Sequence, residues 1–188
     1  METLFIAKEK FGPWDGEKWD NYIAWAKIPG LTEIVSLDSM LCPKILKAIE
    51  DEDWAHIVNE DFRLGYFYHL DYLLARVAAA ASRNILGVYR NPQEHIEAKP
   101  GSPDFAFIGY DLIEDATGIS ALTNCGGFPE TFANSELNQF GLIKEFGRAR
   151  EIQRILPEQN PKEPHAQCQL HAVWRLDESR PVEAKSNS

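Results

Sequence analysis

Apolar residues recur at helical spacing in three stretches of the chain. Trp19, Tyr22, Ile23 and Ala26 fall at i, i+3, i+4 and i+7, one face of a helix. Asp15 stands where an N-cap belongs, and Pro29-Gly30 marks the end. The strongest pattern is Leu70, Leu73, Leu74, Val77, Ala78 and Ala81, where the alanines favour helix by propensity. This is the expected central core helix. Leu142, Phe146, Ala149, Ile152 and Leu156 outline a third helix, stopped by Pro157. Pro43 suits the first turn of a shorter one over residues 43–49.

The strands follow from runs of other kinds. Residues 33–37 and 84–89 read as short strands. Residues 104–113 are apolar on both faces, with Phe105 and Phe107 on one and Ala106, Ile108, Tyr110 and Leu112 on the other, which predicts a central place in the sheet. A turn from Asp115 to Gly118 leads into residues 119–123 as a returning hairpin arm. Residues 167–176 alternate: Cys168, Leu170, Ala172, Trp174 and Leu176 face a core, Gln167, Gln169, His171 and Arg175 face water. Residues 91–104 and 124–139 carry the Pro and Gly pairs of loops. Helices and strands mix without strict βαβ alternation. The expected fold is α+β, a mixed or antiparallel sheet of about five strands with helices packed mainly on one face. Residues 1–176 read as a single domain, and residues 177–188 as a disordered polar tail.

With 188 residues, 44% of them hydrophobic, the chain can bury a core without disulfides or a structural metal. Cys42, Cys125 and Cys168 are odd in number and far apart, so reduced thiols are expected. The opening Met1-Glu2 and the short apolar run from Leu4 to Ala7 do not match a secretion leader, and no run is long enough to cross a bilayer. A cytoplasmic protein is the expectation. The net charge of −10 disfavours DNA and RNA as partners, which call for a basic stripe. Acidity serves solubility first. Its distribution adds to that: residues 48–61 carry Glu50, Asp51, Glu52, Asp53, Glu60 and Asp61 with no Lys or Arg, around Trp54 and Ile57.

Candidate chemistry is sparse. Cys125 precedes Gly126-Gly127, so a thiol could stand beside open backbone N–H groups, with His165 or His171 as the base a nucleophile needs. Asp111 interrupts an apolar strand, as a tuned acid or as an acceptor for backbone N–H groups. His165, Cys168 and His171 do not make a metal site, because strand alternation turns Cys168 away from His171 and no C-x-x-C pair exists. Phosphate-loop, dinucleotide, serine-elbow and zincin motifs are absent, and no cofactor is expected. The expected function is a non-enzymatic acidic binding protein that docks a basic macromolecular partner, of the immunity-protein or antitoxin type. Glu50, Asp51, Glu52, Asp53, Trp54, Glu60 and Asp61 would form its surface. The alternative is a small enzyme or ligand-binding protein with a site in the loop from Asn124 to Gln139, drawing on Cys125, Asp111 or His171.

Overall fold

Six strands form one antiparallel sheet: β1 (Leu4–Glu9), β2 (Ile57–Asp61), β3 (Gly65–Tyr68), β4 (Arg83–Arg90), β5 (Phe105–Glu114) and β6 (Cys168–Leu176), in the order β2-β3-β1-β4-β6-β5. Three helices accompany it: α1 (Glu17–Ala26), α2 (Leu70–Val77) and α3 (Phe146–Gln159). The computed structural model describes residues 3–46, 50–77, 80, 82–96 and 104–177. The expected continuation of α2 to Ala81, much of the loop 91–104 and the tail beyond Asp177 lie largely outside those residues.

Both faces of the sheet are covered, by different means. On one face α2 and α3 bury Leu73, Val77, Ala149, Ile152 and Leu156 against Trp174, Leu112 and Tyr110. On the other there is no helix among the described residues. Val35, Leu37, Leu64 and Leu142, from coil and turns, close over Ile6, Leu86, Val88 and Val173. α1 stands to the side, with Trp19 and Tyr22 packed on Ile34 and Cys42. Its N-cap is Gly16 rather than Asp15, whose carboxylate instead accepts the Gly12 N–H at 2.9 Å. Pro157 lies inside α3 instead of ending it; so near the terminus its missing N–H removes a single bond.

This coil layer explains the departures from the periodicity. Residues 33–37 form no strand; Ile34 makes a lone bridge to Phe11 and the segment lies over the sheet rather than in it. The described part of the 43–49 stretch is not helical, since Lys44 bridges Lys8 in extended form, and residues 47–49 lie outside the described chain. The arm at 119–123 reduces to one bridge, Ile113 to Ser120. β5 is the last strand, not a central one. It is apolar on both faces because helix and coil cover it, and its outer edge is occupied by Ile143, which exchanges both backbone bonds with Tyr110. The face of β6 expected to be wet holds His171 and Val173 at 3% and 0% exposure, under the same coil.

A bulge in β5 between Phe107 and Gly109 resets its alternation. Phe105, Phe107, Tyr110 and Leu112 thus share the helical face, and Ile108 and Ile113 the coil-covered one. Gly109 has φ +143°, and a Cβ there would stand 2.7 Å from Leu142 Cβ and 3.0 Å from the Ile143 carbonyl oxygen. Both the backbone angle and the contact require glycine. Gly109→Ala is expected to lower stability by about 2 kcal/mol or more, read from urea denaturation; a loss below half that would show that the bulge is easily repacked.

Candidate functional site

The bulge also turns Asp111 inward. It is fully buried on the coil-covered face, and every acceptor position is used. Ser36 Oγ donates at 2.5 Å and the Leu37 N–H at 3.1 Å to Oδ2, while Ser120 Oγ donates at 2.7 Å and the Leu112 N–H at 2.9 Å to Oδ1. Asp38, also fully buried, accepts the N–H groups of Met40, Leu41 and Ser120 and the Asn124 amide. Burial pushes the Asp111 carboxyl up, and the hydrogen bonds from Ser36, Ser120 and Leu37 pull the other way. Lys8, 1% exposed, reaches the Asp38 carbonyl at 3.4 Å. Burial lowers its ammonium to about 8, against the raising influence of Cys42, Asp38 and Asp111.

Asp111 and His171 are direct cross-strand partners in the β5–β6 ladder. They do not bond. The His171 Nδ1–H donates to the Gln169 carbonyl at 3.1 Å, and burial lowers the imidazole to about 4, with Arg90 adding to the effect. Cys125 joins the same neighbourhood through Ser120, whose carbonyl accepts from Sγ at 3.4 Å. Burial, and after it the carboxylates of Asp38, Glu163, Glu114 and Asp111, push this thiol up to about 12. Among the described residues no imidazole is hydrogen-bonded to it. Asp111 and Cys125 are therefore bonded to the segments that lie over the sheet, while His171 is bonded within its own strand. His165 lies 3.8 Å from Glu114, not beside Cys125.

The acidic run has a more varied fate. Asp53 is fully buried. It accepts the Tyr72 hydroxyl at 2.5 Å and the Glu50 N–H at 2.7 Å, which hold its carboxyl below the ordinary range, and Arg76 stands 3.5 Å away. Glu50 pairs with Arg76 at 2.8 Å. Asp61 accepts the N–H groups of Arg63 and Leu64, closing the β2–β3 turn, and faces Arg90 at 3.3 Å. Among the described residues no cation is paired with Asp51, Glu52 or Glu60, and all three are exposed. β2 is the free edge of the sheet, and Trp54, 58% exposed, sits edge-on to Tyr66 of the neighbouring strand at 6.1 Å. Phe62 projects from the hairpin turn at 95% exposure. Neither Tyr66 nor Phe62 was singled out by periodicity. The signal was there: Ile57-Val58 and Tyr66-Phe67-Tyr68 flank an Asp…Gly turn, a hairpin pattern masked by the charges.

Among the described residues no group of His, Cys, Asp and Glu is placed to hold a metal ion, and no helix is long and apolar enough to cross a membrane.

Two outcomes follow from the buried polar layer. Asp111→Ala leaves two hydroxyls and two backbone N–H groups without their acceptor and is expected to cost about 3 kcal/mol or more in chemical denaturation. His171 is neutral when folded and has the higher, ordinary pKa when unfolded, so the unfolded chain binds the extra proton. The stability this provides is complete above about pH 6.5 and is lost as pH falls toward about 4, by about 3 kcal/mol in all. The stability difference between wild type and His171→Gln, measured across that window, should shift by this amount; a constant difference would show that the ring is charged when folded.

Neither a family model, nor a curated protein, nor a solved structure matches this chain.

Proposed function

We propose that this protein is an acidic, non-enzymatic binding protein that docks a basic macromolecular partner at the β2–β3 edge hairpin, in the manner of an immunity protein or antitoxin. One observation carries the reading. Asp51, Glu52 and Glu60 are exposed and, among the described residues, without cations, while Asp53 and Asp61 of the same run are satisfied internally. Free carboxylates beside a half-exposed Trp54 combine long-range attraction with a large apolar contact. The remaining members of the predicted surface have other work: Asp53 and Glu50 anchor α2 through Arg76, and Asp61 shapes the turn.

A ligand site in the 124–139 loop is the second reading. Thr123 Oγ1 is buried and, among the described residues, without a partner, beside a cavity of about 20 Å³ lined by Trp25, Gly126, Gly127 and Asn134. That volume admits a water-sized group and no larger substrate, which ranks it second.

The test is kinetic. A basic partner captured stoichiometrically from native lysate should associate at a rate that falls steeply with salt. The triple variant Asp51→Ser, Glu52→Ser, Glu60→Ser should associate about tenfold more slowly at low salt, with a flatter dependence. Association rates identical to wild type at every ionic strength would remove the hairpin as the docking surface.

A further inference from the structure

At the far end of the sheet from the hairpin, Arg150 of α3 is held, among the described residues, by neutral oxygens alone. Its Nη1 donates to Asn91 Oδ1 at 3.1 Å and to Gln153 Oε1 at 2.6 Å, and its Nη2 donates to Gln93 Oε1 at 3.2 Å. Both glutamines are themselves anchored by their N–H ends. Gln93 Nε2 donates to the Asn91 carbonyl at 2.9 Å, and Gln153 Nε2 to the Cys168 carbonyl at 3.1 Å. Asn91 is fixed in turn, in the left-handed region with φ 46°, by its N–H bond of 2.7 Å to the Leu170 carbonyl. The amide oxygens therefore point at the guanidinium because their other ends leave them little choice.

Among the described residues no carboxylate pairs with Arg150, whereas Arg76, Arg148, Arg154 and Arg175 each have one. In a chain with 29 acidic residues against 19 basic ones, immobilising one arginine did not require amides. An amide orients a guanidinium without neutralising it. Carboxylates do both. The donor count sharpens the point: both Nη1 protons and one Nη2 proton are engaged. The Nε–H and one Nη2–H remain as donors for an oxyanion.

Arg150 lines a groove of about 660 Å³ together with Arg154, Glu151, Pro157, Gln167 and Cys168. That volume is in the range of small-molecule sites. Arg154 follows one turn later on the same helix face. Its contact with Glu158, at 3.5 Å, is between side chains about two-thirds exposed and is readily exchanged. Glu151, the one acid in the lining, is bound to Arg148 at 2.7 Å.

We propose that this groove binds a small organic anion, its carboxylate or phosphate taken by the remaining Nε and Nη2 donors of Arg150, with Arg154 supplying a second positive charge. The site is independent of any partner at the hairpin.

The experiment titrates the full chain with inorganic phosphate and, separately, with succinate at low ionic strength. Amide NMR shifts and calorimetry report binding, and the two arms distinguish the headgroup. Saturable binding of at least one probe, with shifts centred on Arg150, Arg154 and Cys168, is expected. Gln93→Glu keeps the side-chain length and the bond to Arg150, gives up the bond to the Asn91 carbonyl and supplies an internal counter-charge; it should stay folded in a thermal melt and bind about tenfold more weakly or worse. Arg150→Gln should match it, and Arg150→Lys should not restore binding, because an ammonium lacks the planar fork. The proposal is overturned if neither probe binds saturably, or if Gln93→Glu binds as wild type does. Should Arg150→Gln fail to fold, Gln93→Glu decides alone.

Discussion

The Asp111 carboxylate ties two chain segments to the sheet that no regular hydrogen-bond ladder could hold. Ser36 and Leu37 approach it from one segment and Ser120 from the other. Asp38 then locks the same two segments to each other through the Ser120 N–H and the Asn124 amide. Without a helix on this face, the burial of Ile6, Leu86, Val88 and Val173 depends on where these coils lie. An apolar contact is nondirectional and would tolerate many coil paths. Four directed bonds to one carboxylate select a single path. The cost is a pair of buried acids, and buried Lys8 stands beside them, reaching the Asp38 carbonyl at 3.4 Å. An unbonded or uncompensated charge at such depth would cost several kcal/mol, so the layer stands or falls as a unit.

That dependence also explains what the sequence could reveal. The α1, α2 and α3 patterns and the strands β4, β5 and β6 were legible because a helix or a paired strand writes its period into the chain. Residues 33–37 carry the same apolar content without a ladder, and their conformation is set by Asp111, far away in sequence. β1 was missed because four consecutive apolar residues, buried on both faces, show no period. The wet face assigned to β6 holds at Gln167 and Gln169, which are exposed, and fails at His171, which is buried.

The site residues divide along a similar line. Sequence identified the acidic run and the Cys125, Asp111 and His171 group, and it could not tell which acids had internal partners. Asp53 and Asp51 are equivalent in a charge count. One is folded onto Tyr72 and Arg76, the other faces solvent. The thiol is the clearest case where environment outranks identity. At a pKa of about 12 the thiolate fraction at neutral pH is about one in 100,000, too small for an unassisted nucleophile. Burial raises that pKa most, and among the carboxylates that add to it are Asp38 and Asp111, which build the coil layer.

The two exposed features use opposite strategies for charge. At the hairpin, acids with internal cations are spent on shape and those without are left facing water. At α3, Arg148 is neutralised by Glu136 and Glu151, while Arg150, two residues on, is steered by amides. Neighbouring positions on one helix thus show both outcomes, which separates the effect of local sequence from that of the partner. An arginine needed only for stability gains more from a carboxylate, since the attraction of opposite charges then adds to the hydrogen bond. Choosing the weaker bond three times around a single side chain leaves its positive charge available, and in a protein this acidic that availability is what distinguishes the position.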